Sequence, residues 1–161
     1  MKVIFDTSVL SNFALSESLF IIKKLYANRS FITEFVRAEI QRGINCGYEK
    51  LNLLKIALDE GWLKEIILTD LKEKILYEKL SISLGIGEAS SIAIAKLRGF
   101  VFACDDKVAR NESFLLSIRL TGTIGILKKA IHKKITSTSD ANKILKKMIR
   151  SGFFSPIKIL G

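Results

Sequence analysis

Apolar positions along this chain alternate between two rhythms. Short apolar stretches, KVIF (2–5), SFIT (30–33) and FVFAC (100–104), read as buried strands; WLKEIIL (62–68) reads as a strand or extended segment. Between them, apolar residues recur at helical spacing. In SVLSNFALS and ESLFIIKKLYAN, Leu19, Ile22 and Tyr26 share a stripe with Lys23 and Lys24 beside it. A helix after SFIT runs through about Gly43, with Phe35, Val36 and Ile40 on one side. EKLNLLKIALDEG (49–61) is an amphipathic helix stopped by Gly61. Asp70 with Glu73 three residues on forms a capping box for a helix through about Leu80. LGIGEASSIAIAKLRG gives a helix with Ala89, Ile92, Ala93 and Ala95 free to pack closely, ended by Gly99. KVARNESFLLSI is another helix, and RLTGTIGILKKAIHKK gives a short strand, a glycine turn and a basic helix. Ser137 or Ser139 caps a last helix, DANKILKKMIR, ended by Gly152; PIKIL (156–160) is an expected edge strand with Pro156 at its start. Strands alternating with helices imply βαβ units and a parallel sheet covered on both faces. With no linker, repeat or low-complexity tract, residues 1–161 read as one α/β domain.

Composition narrows the class. The chain is 48% hydrophobic, which excludes a disordered polypeptide. No apolar run approaches the roughly 18 residues of a membrane span, and Lys2 falls too early for a secretory leader. Two cysteines, Cys46 and Cys104, cannot build a disulfide framework, so a cytoplasmic location is expected. The single histidine, His132, excludes a two-histidine zinc site and a histidine-pair mechanism. Charge is unevenly spread. Residues 1–112 hold 16 basic and 15 acidic side chains; residues 113–161 hold 10 basic ones and a single acid, Asp140. A basic final third suits a polyanionic partner, although a solvated lysine face serves solubility as well.

In open parallel sheets, ligands sit beyond the carboxyl ends of the strands. This chain places acids there: Asp6 after KVIF, Asp105 and Asp106 after FVFAC, Glu88 at the head of a helix, and Glu39 about one turn into another. Converging carboxylates repel one another unless a cation sits among them. All-oxygen ligation points to Mg²⁺ or Mn²⁺. Such a site can polarise a phosphodiester and activate water.

Taken singly, each acid has an ordinary role. Asp6 before Thr7-Ser8 suits a turn or cap, Glu39 a solvated helix face, Glu88 a first-turn charge, and Asp105-Asp106 a cap pair. Their joint order on an α/β frame favours a metal site. Other motifs fall away. Gly122-Thr123-Ile124-Gly125 lacks the lysine of a phosphate loop and reads as a tight turn. Asp6-Thr7-Ser8 lacks the second acid of an aspartyl-phosphate phosphatase. Cys46 and Cys104 read as core or inert thiols, His132 as exposed, and Trp62, Phe153 and Phe154 as core.

Asp6-Thr7-Ser8 with Asn12, then Glu39, GEASSIAIAKLRGFVFACDDKVAR, LTGTIGILKKA and the late GFF together resemble a PIN domain, of a prokaryotic, VapC-like subgroup. The resemblance spans essentially the whole chain. It implies a three-layer α/β/α sandwich with a central, mainly parallel sheet. It also implies a metal-dependent ribonuclease that hydrolyses single-stranded RNA to 3′-hydroxyl and 5′-phosphate ends. In that reading Asp6, Glu39, Glu88 and Asp106 are the catalytic acids and hold one or two Mg²⁺ or Mn²⁺ ions. Relatives often carry Thr or Ser two residues before the fourth acid. Aligning Cys104 there selects Asp106, whereas aligning Ala103 selects Asp105, which otherwise acts as co-ligand or water-binder. Thr7, Ser8 and Asn12 would support Asp6 through hydrogen bonds. Lys128, Lys129, Lys133, Lys134, Lys143, Lys146, Lys147 and Arg150 are candidate phosphate contacts. Toxin members of the family bind an antitoxin and tend to dimerise, so an antitoxin and a homodimer are implied partners; a membrane is not. Two alternatives stand beside this: a PIN module that binds nucleic acid or protein without turnover, and a structure-specific DNA nuclease using the same cluster.

Overall fold

The computed structural model describes residues 1–161. Five strands form one parallel sheet: β1 (Val3–Phe5), β2 (Ser30–Thr33), β3 (Leu63–Ile66), β4 (Val101–Ala103) and β5 (Leu120–Thr121), in the order β3-β2-β1-β4-β5. The chain builds outward from β1 to one side, then returns to build the other. The topological switch therefore lies between β1 and β4, where such sheets open a crevice. Register fixes what meets there. Phe5 lies opposite Ala103, and the Asp6 amide donates to the Ala103 carbonyl at 2.9 Å. The residues that follow each strand, Asp6 and Cys104, are thereby brought side by side.

Nine helices connect and cover the sheet: α1 (Thr7–Leu15), α2 (Leu19–Tyr26), α3 (Glu34–Asn45), α4 (Asn52–Glu60), α5 (Leu71–Leu80), α6 (Ile86–Arg98), α7 (Lys107–Leu115), α8 (Thr123–His132) and α9 (Thr138–Arg150). Strand side chains alternate between faces. Val3, Phe5, Ile32, Val101 and Ala103 enter a core of 27 buried residues shared with α1 to α4, α8 and α9. Ile4, Phe31 and Phe102 enter a second core of 13 residues with α6 and Ala109 of α7. This is the three-layer α/β/α sandwich with a parallel centre that the pattern predicts. No helix is long and apolar enough to cross a membrane.

Local signals act as expected at several ends. The Asp70–Glu73 capping box is formed, and Gly61 and Gly99 close α4 and α6 at φ of +83° and +72°. Glu73 also takes a two-pronged ion pair from Arg98, with Nε to Oε2 at 2.6 Å and Nη2 to Oε1 at 2.9 Å. This pair fastens the start of α5 to the end of α6. Ser137, rather than Ser139, caps α9, accepting from the Asp140 amide.

Three expectations are corrected. Residues 49–61 are not one helix: a 3-10 turn at Glu49–Leu51 precedes α4, and the Asn52 side chain donates to the Glu49 carbonyl. Residues 156–160 form no strand. Asn142 on α9 takes the backbone groups that a ladder would use, donating to the Leu160 carbonyl and accepting from its amide at 2.7 Å. Phe154 is not core. It is 98% exposed, while Trp62 is buried and Phe153 packs partly against the larger core.

Candidate active site

Asp6 stands at the N-cap of α1, one residue past β1, and is almost wholly buried. Burial pushes its carboxyl up from 3.8 to about 6; the Ser8 hydroxyl opposes that rise and the charge of Glu39 adds to it. Ser8 donates to Asp6 Oδ2 at 2.9 Å. Across the switch point, Glu88 lies in the first turn of α6, where Ser90 and Ser91 both donate to the Gly87 carbonyl. Glu88 is half-buried. Burial, then the charges of Asp6 and Asp106, push it up from 4.5 to about 7. Donor atoms of Asp6, Glu88 and Cys104 lie within 4.8 Å of one another.

Glu39 approaches this pit from α3. The Thr7 hydroxyl donates to its Oε1 at 3.0 Å. Its carboxylate lies against Gly87, where a Cβ would overlap Oε1. Glycine at 87 is what lets the Glu39 carboxylate of α3 lie against the first turn of α6, one residue before Glu88; that carboxylate stays outside the cluster of Asp6, Glu88 and Cys104. The bare backbone is reinforced by the Thr33 hydroxyl, which caps α3 at Val36 and bonds Ser90 on α6 at 2.8 Å. Asp106 is exposed and caps α7, accepting from the Ala109 amide. Its charge acts on Glu88 and Cys104.

Asp105 has a different setting. Its Oδ1 accepts from the Thr123 amide at 2.9 Å, and its Oδ2 accepts from the Thr123 hydroxyl at 2.6 Å and from Asn12 Nδ2 at 3.3 Å. Gly122 admits it: a Cβ there would meet Asp105 Oδ1 at 2.6 Å. Asp105 thus ties the end of β4 to the start of α8. Two expected supports are redirected as well. Asn12 bonds Asp105 and Thr123 instead of Asp6, and the Thr7 hydroxyl serves Glu39. Ser8 is the one of the three whose side chain supports Asp6.

Cys104 is buried, but it is not only core. Its thiol lies 4.0 Å from Asp6 Oδ2, and burial followed by the charge of Asp6 pushes its pKa far up, so it stays neutral. Beside the acids opens a cleft of about 710 Å³, walled by Ser8, Asn12, Asp105, Asp106, Lys107, Arg110 and the 152–156 segment. None of the eight basic residues of α8, α9 and the turn between them lines it. Lys143 and Lys147 face a separate depression with Phe20 and Ile135, and Lys129 sits over the Tyr26 ring at 4.8 Å. The cations at the cleft are Lys107 and Arg110. Arg110 Nη1 also donates to the carbonyls of Cys104 and Thr121, joining the ends of β4 and β5. On sequence alone, Lys107, Arg110 and Thr123 carry no site role, and Cys104 reads as a core or inert thiol. Lys107 and Arg110 belong to the DDKVAR stretch and were legible as cations one helical turn from the acids; nothing marked Thr123 beyond its place after a glycine.

A parallel α/β sheet whose central switch point gathers carboxylates beside a cleft can hold a divalent cation there. The sequence profile of the PIN domain family matches residues 2–161, and the chain belongs to that family. PIN domains are generally nucleases, usually dependent on divalent metals. No curated protein matches the chain.

Proposed function

We propose that this protein is a metal-dependent endoribonuclease of single-stranded RNA, a VapC-like toxin of a toxin–antitoxin pair acting in the cytoplasm, with residues 1–161 forming a single domain. The observation that carries the reading is the pit itself. Two carboxylates and a neutral thiol converge within 4.8 Å, and Asp6 is held at about 6 by burial. Negative charge so poorly solvated calls for a hard cation, and the carboxylate oxygens of Asp6 and Glu88 suit Mg²⁺ or Mn²⁺, with the neutral Cys104 thiol beside the ion and not among its ligands. Such an ion, when bound, supplies charge stabilisation of the phosphodiester and a more acidic water.

The chain's own residues have separable parts. Asp6 and Glu88 bind the cation, and Ser8 fixes the Asp6 rotamer. Glu39, braced by Thr7, and Asp106 at the rim complete the acidic set. Asp105 aligns α8 with the cleft rather than competing for the ion. Lys107 and Arg110 offset phosphate charge at the cleft, while the lysines of α8 and α9 and Arg150 attract the RNA at longer range. An antitoxin and a second copy of the chain are the protein partners.

Single-stranded RNA and DNA of matched sequence, incubated with Mn²⁺ or Mg²⁺, test this. Cleavage of the RNA to 5′-phosphate ends is expected, lost in Asp6→Asn and Glu88→Gln. Equal turnover by wild type and variants sinks the reading; preferential DNA cutting supports the DNA-nuclease alternative. A second reading, binding without turnover, draws on Cys104, which puts a thiol where relatives of the resembled subgroup often have a hydroxyl. RNA binding that is insensitive to EDTA and yields no products would establish it.

A further inference from the structure

Phe154 has the largest exposure of any hydrophobic side chain in the molecule, at 98%. Isolated exposed apolar residues are ordinary, so exposure alone says nothing. Its location and its mounting say more. Phe154 walls the 710 Å³ cleft that also holds Asp105, Asp106, Lys107 and Arg110. A cleft of that size admits a nucleotide. The backbone that carries the ring is fixed on both sides. Its neighbour Phe153 packs against the larger core and donates its amide to the Met148 carbonyl at 2.9 Å, closing α9. Gly152, at φ +110°, turns the chain out of the helix. Just beyond, Ser155 bonds both backbone groups of Ile157, and Pro156 stiffens the turn. Phe153 points inward as the anchor, and the next ring stands in water over the cleft.

We propose that Phe154 is a stacking platform for a nucleobase, which seats the strand beside the acidic pit. The proposal rests on the nucleic-acid reading of that pit and adds a base-face contact to it. A planar ring next to two cations is the combination that holds single strands: bases stack while phosphates meet Lys107 and Arg110. Charge decides between a strand and an apolar protein segment: Lys107 and Arg110 stand in the same wall as the two phenylalanines, so a phosphate-bearing strand meets cations where its base meets the ring. Stacking is tolerant of base identity, so the platform would position a strand without fixing its sequence.

Binding of a short fluorescent single-stranded RNA, measured in EDTA and again in Ca²⁺, tests the platform. Phe154→Ala and Phe154→Leu should weaken binding at least fivefold, while Phe154→Tyr and Phe154→Trp stay near wild type. An abasic oligomer of equal length should bind wild type and Phe154→Ala alike. Trp62 is the single tryptophan and is buried, so emission from Phe154→Trp reports the platform directly and should be quenched by RNA but not by the abasic strand. The side chain is outside both cores, so thermal unfolding should be unchanged in every variant. Phe154→Ala binding within twofold of wild type, an equal loss on abasic strands, or no RNA binding by wild type in either condition overturns the proposal. Loss of binding to a protein partner with RNA binding intact overturns it too. If the platform binds RNA but Mn²⁺ yields no products, the nuclease reading fails and the platform stands.

Discussion

Replacing Asp6 with Asn should stabilise the metal-free protein at neutral pH. Asp6 is 7% exposed, and burial raises its carboxyl from 3.8 to about 6. That rise corresponds to about 3 kcal/mol of penalty on the ionised form. The sign follows from where the proton is held. The native state binds it more tightly than the unfolded chain, so this contribution to stability is full below pH 3.8, declines as pH rises through about 6, and is then lost. Asn is neutral and nearly isosteric, and its carbonyl can still accept from Ser8. Because Glu39 and Glu88 share the pit, part of the gain is redistributed between them. The expected stabilisation of Asp6→Asn at pH 8 in EDTA is roughly 2 kcal/mol, or about 4–8 °C in Tm for a chain of this size. Below pH 4 the difference should vanish. Urea and thermal unfolding of both proteins across pH 3.5–8.5 read it directly, and the difference between them cancels the effect of overall charge. Millimolar Mn²⁺ should reverse the order, raising Tm of the wild type and leaving the variant unchanged. A difference that is flat with pH, or a variant less stable than wild type at pH 8 in EDTA, would refute the account of Asp6 as a buried, under-solvated carboxylate.

Other perturbations separate the pit from its frame. Gly87→Ala puts a methyl where Glu39 Oε1 now lies, so RNA cleavage should drop at least tenfold while Tm changes by only a few degrees, because Glu39 can swing aside. Glu73→Ala removes the carboxylate that pairs with Arg98 and caps α5, and denaturant unfolding should show a loss of about 2–4 kcal/mol. Arg98 holds Glu73 down from 4.5 to about 2. The stability that pair provides is therefore present above pH 4.5 and lost as pH falls toward 2, a window distinct from that of Asp6. Phe102→Ala, at the centre of the sheet face under α6, should cost about 3–5 kcal/mol by leaving a cavity, measured by the same unfolding curves.

Periodicity alone carried most of the architecture. The strands at 30–33 and 2–5, the capped helix from Asp70 and the glycine stops at 61 and 99 are local events, decided by residues a few positions apart, and they were legible for that reason. So was the placing of acids at strand ends, because a parallel sheet offers its carboxyl ends as the common meeting place. What the chain could not show in one dimension was which hydrogen-bond partner each polar group would choose. Asn12 has Asp6 as its near neighbour in sequence, and only the packing of α1 against α8 gives it to Asp105 instead. Cys104 read as an inert core thiol, yet the register of β1 on β4 sets it against Asp6. The C-terminal PIKIL had the apolar content of a strand, but Asn142, eighteen residues earlier on α9, took the Leu160 backbone groups first. Phe153 and Phe154 are identical in kind and adjacent; the end of α9 and the turn at Gly152 send one into the core and leave the other over the cleft. Local propensity is set by neighbours in sequence, whereas burial and pairing are settled by competition among groups far apart, and that competition exists only once the layers have packed.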